Sequence, residues 1–317
     1  MKIFVFPFLI LTLFACSSTP NLPISNPPIS SSTASLSEGS ETKAHLSAKD
    51  EWQNWVNDYS KSRNSKDGWL SLAGLYWLDE GDNTLGTNKS NLHLFPEGTP
   101  SFFGIVNIDK EVVTFTRKNS QIKIDDKNIE SQTLILNKTI VSLNSYSFYI
   151  IKRERGFAVR LKNTENPSIV KYDGVHFLPY SEQHAIPAKL IQHKTPQTIQ
   201  IATVYDTVRE NDSAGWLEFE FNGQKHRLQA ISYGKDGPMS LMFADETGQE
   251  TTYGAGRYLD VHWPKDGSDM TIINFNYAYN PPCAITPFAT CPLPPRGNRL
   301  DFNVEAGELY SNLKQSH

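Results

Sequence analysis

The chain has 317 residues, 38% hydrophobic and 20% charged, with a formal net charge of -4. Its sequence pI is about 6.1, which excludes the strongly basic face expected of a nucleic-acid binder. Residues 47–317 are long enough for one large β domain or two small ones.

Residues 1–15 place one basic residue, Lys2, before a short apolar run that ends in Ala15, immediately ahead of Cys16. This pattern predicts a lipoprotein signal peptide with lipidation at Cys16. The apolar run is too short to span a bilayer as a mature helix, which needs roughly 20 residues. Loss of Lys2 with the leader takes the formal charge from -4 to -5. Residues 16–46 are rich in Ser, Thr, Pro and Asn, with scarcely any aromatic residue, and form an expected disordered tether reaching tens of ångströms from the membrane. Ser17 and Ser18 supply no acidic retention signal, so the expected location is the outer membrane, facing the periplasm.

Ser47 is placed to cap a helix, Asp50 and Glu51 lie in its first turn, and Trp52, Trp55, Val56 and Tyr59 recur at helical spacing. An amphipathic helix is predicted over 48–62, its aromatic stripe packing on a sheet. From Trp69 onward, short β-branched and aromatic runs alternate with Gly, Asn and Asp turns. Strands are predicted over 112–116, 147–153, 158–161, 200–208, 216–221 and 226–231, with Asn222-Gly223 as a tight hairpin. The expected fold is mainly β, an antiparallel sandwich or split barrel with one N-terminal helix. A break in the strand pattern suggests a subdivision near residues 165–175.

Two stretches concentrate unusual chemistry. In Thr252-Tyr253-Gly254-Ala255-Gly256-Arg257-Tyr258-Leu259-Asp260, the glycines permit close backbone approach. Arg257 is suited either to clamping an anion or to pairing with an acid such as Asp245, Asp260 or Glu305. In residues 280–295, Cys283, Cys291 and a run of prolines allow neither a helix nor a central strand, so the segment is a shaped loop. With Cys16 lipidated, Cys283 and Cys291 are the two remaining cysteines, and an oxidising compartment makes a disulfide between them the expectation. Neither a CxxC redox pair nor a set of four short-spaced zinc ligands is present, so no metal or cofactor is expected.

The chain resembles the family called domain of unknown function 1684. The resemblance rests on Gly68-Trp69-Leu70, Leu72 through Leu78, Thr84-Leu85-Gly86, Phe243-Ala244-Asp245 and Thr252 through Tyr258. It continues through Ala278-Tyr279-Asn280-Pro281-Pro282-Cys283-Ala284, Cys291 through Pro295, Asn298-Arg299-Leu300 and Ala306-Gly307-Glu308. At Asn274-Phe275-Asn276-Tyr277 the chain departs from that family's pattern, which has an acid first and a base last. The family name implies no activity. The segment around Thr84 through Thr87 and Ile122 through Ile124 also resembles a forkhead-associated sandwich in architecture, without the residues such a domain uses for phosphothreonine.

The polar set expected to converge is Arg257, Tyr253, Asp260, His262, Asn276, Asn280, Arg299 and Glu308, suited to a small anionic or sugar-like ligand beside the proline loop. Three functions remain open: a lipid-anchored binding protein, a hydrolase using Asp260 or Glu308 with His262, and a structural envelope component without a site. In the third, Asn280, Asn298 and Arg299 serve only to satisfy backbone groups of the loop. The expected partners are the membrane, through the N-terminal lipid, and a small polar ligand.

Overall fold

The computed structural model describes residues 46–310, except Gln249 and Asp266. Cys16, the leader and almost all of the tether lie outside the described residues. The first element is helix α1, Ala48–Arg63. It opens with a reciprocal cap: the Asp50 backbone N–H donates to the Ser47 hydroxyl at 3.2 Å, and the Asp50 carboxylate accepts from the Ser47 backbone N–H at 3.3 Å.

Ten strands follow: β1 Leu72–Trp77, β2 Gly81–Gly86, β3 His93–Leu94, β4 Gly104–Asp109, β5 Val112–Arg117, β6 Lys123–Ile124, β7 Ser131–Thr133, β8 Val141–Leu143, β9 Tyr146–Arg153 and β10 Gly156–Asn163. They form two five-stranded sheets, ordered β1-β10-β9-β8-β6 and β3-β2-β4-β5-β7, antiparallel except for a short parallel contact between β2 and β3. The sheets enclose one core in which Phe95, Phe103, Phe115 and Phe148 stand at ring separations of 5.3 to 6.3 Å. Side-chain alternation aims Phe157, Val159 and Leu161 of β10 into this sandwich. On the other face of the same sheet, Ala158 and Ile151 are also fully buried, so a further layer of protein covers it.

A short helix, α2, Pro167–Lys171, marks the change to the second half, so the chain has a helix beyond the one expected. The remaining strands are β11 Ala185–Ile191, β12 Thr198–Ala202, β13 Val208–Phe221, β14 Gln224–Ser232, β15 Met239–Phe243, β16 Arg257–Val261 and β17 Met270–Asn274. They make one sheet, ordered β16-β15-β14-β13-β11-β17, with β12 paired to β13. Phe221 pairs with Gln224 around Asn222-Gly223, both residues at positive φ, which produces the predicted hairpin. The single strand expected over 200–208 is instead two strands. Asp206 adopts φ 56°, and Thr203 N–H donates to Thr207 O at 2.9 Å, so the chain reverses inside a β-branched run that reads as continuous strand.

Helix α1 precedes the sandwich in sequence yet docks on the second half. The Trp52 indole N–H donates to Asn276 O at 2.9 Å, and Trp55 and Tyr59 pack against Phe177, with Tyr277 and Tyr279 beyond them. The large sheet is thereby buried on both faces at this end: Leu241 and Leu259 point into its main core, while Met242 and Tyr258 point toward the helix. Among the described residues no helix is long and apolar enough to cross a membrane.

Candidate functional site

The proline segment is held as a formed wall. A Cys283–Cys291 disulfide closes it, with the two Cα atoms 6.2 Å apart. Backbone bonds seat it against the large sheet: Leu293 N–H donates to Ala202 O at 2.7 Å, and Val204 N–H to Cys291 O at 3.0 Å. The Tyr258 hydroxyl donates to Pro292 O at 2.6 Å. Asn298, fully buried, accepts from Gln229 N–H at 2.8 Å and donates to Gln229 O and Met242 O at 2.8 and 2.9 Å. These bonds supply the partners that a proline-rich backbone cannot provide for itself.

Arg257 begins β16 and is 1% exposed. Its guanidinium donates to Asp245 at 3.0 Å, to Val304 O at 3.1 Å and to Ala306 O, and its Cζ stands 5.2 Å from the Phe243 ring centre. Asp245 in turn accepts from Thr247 Oγ1 at 2.6 Å and Val304 N–H at 2.9 Å. The pairing with Asp245 that the sequence offered as one alternative is therefore present, and it turns Arg257 toward the interior rather than toward the loop. Burial lowers the Arg257 pKa, against the stabilising pull of Asp245. Gly256, at φ 102°, lets this backbone pass under the loop, since an added Cβ would meet Pro294 Cγ at 2.4 Å.

Glu308 and Asn280 form a second buried network. Glu308 Oε2 accepts from Asn280 N–H at 2.7 Å and from the Tyr59 hydroxyl at 2.9 Å, while Arg63 donates to Tyr59 at 2.7 Å and to Asn280 O. Burial pushes the Glu308 carboxyl above its ordinary range, partly offset by Arg63 and by the donors from Asn280 and Tyr59. The Asn280 amide donates to Leu309 O at 3.0 Å. Asn276, also buried, exchanges hydrogen bonds with the Ser181 backbone at 2.8 and 2.9 Å and braces the segment leading into β11.

The remaining expected residues are dispersed. Tyr253 packs on Tyr310 with ring centres 5.1 Å apart, and burial raises its pKa. Asp260 lies on β16 and accepts from the Tyr279 hydroxyl at 3.5 Å. His262 is exposed just past that strand, whereas Glu308 is sealed inside. Arg299 is exposed and pairs with Glu246 at 3.2 Å. Among the described residues no group of three or more His, Cys, Asp or Glu side chains is arranged to hold a metal ion.

What the loop does border is an open cleft of about 410 Å³, lined by Ala244, Ala255, Leu293, Pro294, Arg296 and Arg299. Arg257 is not part of its wall. Sequence reasoning did not single out Arg296, or Arg153 and Arg160 of the first sheet. The available signal was a charged residue inside the otherwise apolar run Phe157-Ala158-Val159-Arg160-Leu161.

Solved structures offer distant likenesses. One is a solution NMR structure of an uncharacterized protein of Haloarcula marismortui, at 26% identity and a TM-score of 0.39, covering 46% of this chain and 80% of that one. Another is a forkhead-associated domain from a study of phosphothreonine-dependent interactions, at 14% identity and a TM-score of 0.21, covering 27% of this chain and 81% of that one. No curated protein matches the chain. Residues 170–309, which carry the large sheet, the disulfide loop, Arg257 and Glu308, match the family described as "Protein of unknown function (DUF1684)", in support of the resemblance seen in the sequence motifs.

Proposed function

We propose that this is a binding protein, tethered to the cell envelope through a lipid on Cys16, that receives a small anionic or sugar-like molecule in the cleft beside the disulfide-closed loop. The observation that carries this reading is the cleft itself: about 410 Å³ of open space whose wall is fixed by prolines and whose lip bears Arg296 and Arg299. That volume falls within the roughly 300–1,000 Å³ of small-molecule sites. A proline wall already ordered before binding reduces the entropy lost when a ligand is held. The Arg299–Glu246 pair is a surface pair of small worth, so a ligand anion competes for Arg299 at little cost.

Thermal-shift measurements on the full chain with panels of sugars, phosphates and carboxylates test the reading. A ligand should raise the melting temperature of the wild type and lose that effect in the Arg296→Ala, Arg299→Ala double variant. The cleft is removed as the site if no ligand in the panel loses its effect in the double variant. Anchoring is tested separately: Cys16→Ala should release the protein from the membrane fraction, and unchanged fractionation overturns the lipid anchor.

A further inference from the structure

We propose a second binding site, separate from the cleft, at the seam between the outer face of the β1-β10-β9 sheet and the disulfide-closed loop, where Arg160 and Arg153 hold the oxyanion of a small molecule against the Thr290 hydroxyl. The strand register creates it. Arg160 of β10 pairs with Tyr149 of β9, and Gly156 with Arg153, so both arginines project from the face opposite the phenylalanine core. The loop covers that face and presents Thr290, next to Cys291 of the disulfide.

Arg160 is 4% exposed, yet among the described residues its guanidinium has one hydrogen bond, a long one of 3.4 Å to Thr290 Oγ1. Its Nε is buried with no partner among the described residues, and its Cζ stands 5.4 Å from the centre of the Trp69 ring. Arg153 Nε reaches the same hydroxyl, also at 3.4 Å. Arg153 Nη1 also donates to Lys152 O at 2.7 Å, so two guanidinium groups meet at the Thr290 hydroxyl with only neutral oxygens as hydrogen-bond acceptors. Among the described residues no carboxylate is within ion-pair distance of Arg153, Arg155 or Arg160. The nearby acid, Glu154, is engaged by Arg209 at 2.6 Å.

The other deeply buried arginines provide an internal contrast. Arg257 has Asp245, and Arg63 sits in the network of Glu308 and Tyr59. A cation withdrawn from water without a counter-charge is disfavoured unless something supplies one. Two convergent guanidinium groups match the geometry of a phosphate or carboxylate, accepting several charge-assisted hydrogen bonds from fixed forks. Burial, with repulsion from Arg160 and Arg209, pushes Arg153 down to about 10 despite the opposing pull of Glu154 and Tyr149, and a bound anion would add to that pull.

Access is graded. Arg160 is buried, Arg153 is half-buried and Arg155 is exposed over Trp77, with 5.2 Å between Cζ and ring centre. Trp77 and Tyr205, 5.6 Å apart, form an apolar wall along this approach for the uncharged part of the ligand. The Tyr205 hydroxyl donates to Pro287 O at 3.1 Å, so the wall and the loop are joined.

The test is the melting temperature of the full chain in inorganic phosphate, glucose 6-phosphate, citrate or, as control, sodium chloride at matched ionic strength. At about a hundredfold excess over Kd an oxyanion should raise it by about 5 to 10 °C over chloride. The inorganic phosphate and citrate arms separate phosphate from carboxylate preference, and glucose 6-phosphate reports whether the apolar wall adds to affinity. Arg160→Met should abolish the part of the response that the Arg296→Ala, Arg299→Ala double variant keeps and, by removing an unmatched buried charge, leave the anion-free protein at least as stable as the wild type. The Arg296→Ala, Arg299→Ala double variant, which disables the cleft, should keep the response. No oxyanion effect in the wild type overturns the proposal, as does a full response in Arg160→Met. Should Arg160→Met not fold, Arg153→Gln and Thr290→Val decide it: both must weaken the response, and an unchanged response in both overturns the site.

Discussion

The hydroxyl of Tyr59, in the first helix, donates at 2.9 Å to the carboxylate of Glu308, 249 residues further along the chain. The same carboxylate oxygen accepts from the backbone N–H of Asn280 at 2.7 Å, so one buried oxygen fastens helix α1 to the start of the proline loop. Tyr59→Phe removes one of the two donors while keeping the ring stack on Trp55. It should cost about 1 to 2 kcal/mol, read as a fall in melting temperature of about 2 to 8 °C. An unchanged melting temperature would show that this hydrogen bond adds nothing to the hold of the aromatic stripe and of the Trp52 and Arg63 side-chain bonds on the helix.

The pH response of Glu308 follows from its burial. Its folded pKa lies above the ordinary value of 4.5, so the folded state favours the protonated acid. The resulting stabilisation is fully present below pH 4.5 and is lost as pH rises through the folded pKa. Glu308→Gln keeps an acceptor for both donors and cannot ionise. Its stability relative to the wild type should therefore rise from pH 4.5 toward pH 8, measured by urea unfolding at each pH. A constant difference across that range contradicts the assignment.

Arg257 separates a structural role from a ligand-binding one. Arg257→Ala leaves Asp245 buried without its counter-charge, and breaking a buried pair in this way costs about 3 to 5 kcal/mol. We expect the melting temperature to fall by about 10 °C. A variant that keeps its melting temperature shows that Arg257 is not what holds Asp245 and the 304–306 segment together.

The disulfide closes a short loop, and the chain-entropy relation assigns such a ring about 2 to 3 kcal/mol. Cys283→Ser, Cys291→Ser should lower stability by that amount in urea unfolding under non-reducing conditions. Reduction of the denatured wild type should add the mass of two hydrogens, and no change in mass would mean the two thiols are free.

Gly256 is required by both conformation and space. With φ at 102° and Pro294 Cγ 2.4 Å from any added Cβ, Gly256→Ala must displace either β16 or the loop. The expected loss is about 2 kcal/mol or more in urea unfolding, since the strain and the clash add. Gly223→Ala provides a comparison: its Cβ has open space, so only the backbone penalty of φ 75° remains and the loss should be smaller.

Local features were legible in the sequence because their causes are local. The cap of helix α1, the Asn222-Gly223 hairpin and the alternation of Leu217 and Phe219 with Glu218 and Glu220 each depend on residues within a few positions of one another. The cysteine pair was equally legible, from the arithmetic of what remained after Cys16. The run Thr203 through Thr207 misled because its β-branched residues suit a strand, and only the φ of Asp206 turns the chain back.

What the tertiary structure alone decided is which polar groups face one another. Asp245 and the carbonyls of Val304 and Ala306 converge on Arg257, turning a candidate ligand clamp into a brace of the core. The outer face of β9 and β10 meets a loop some 130 residues away and leaves Arg153 and Arg160 around one threonine hydroxyl. Periodicity fixes which face of a strand a residue occupies, but a charge is matched or left unmatched only by the element that packs on that face. That partner is a property of the assembled fold.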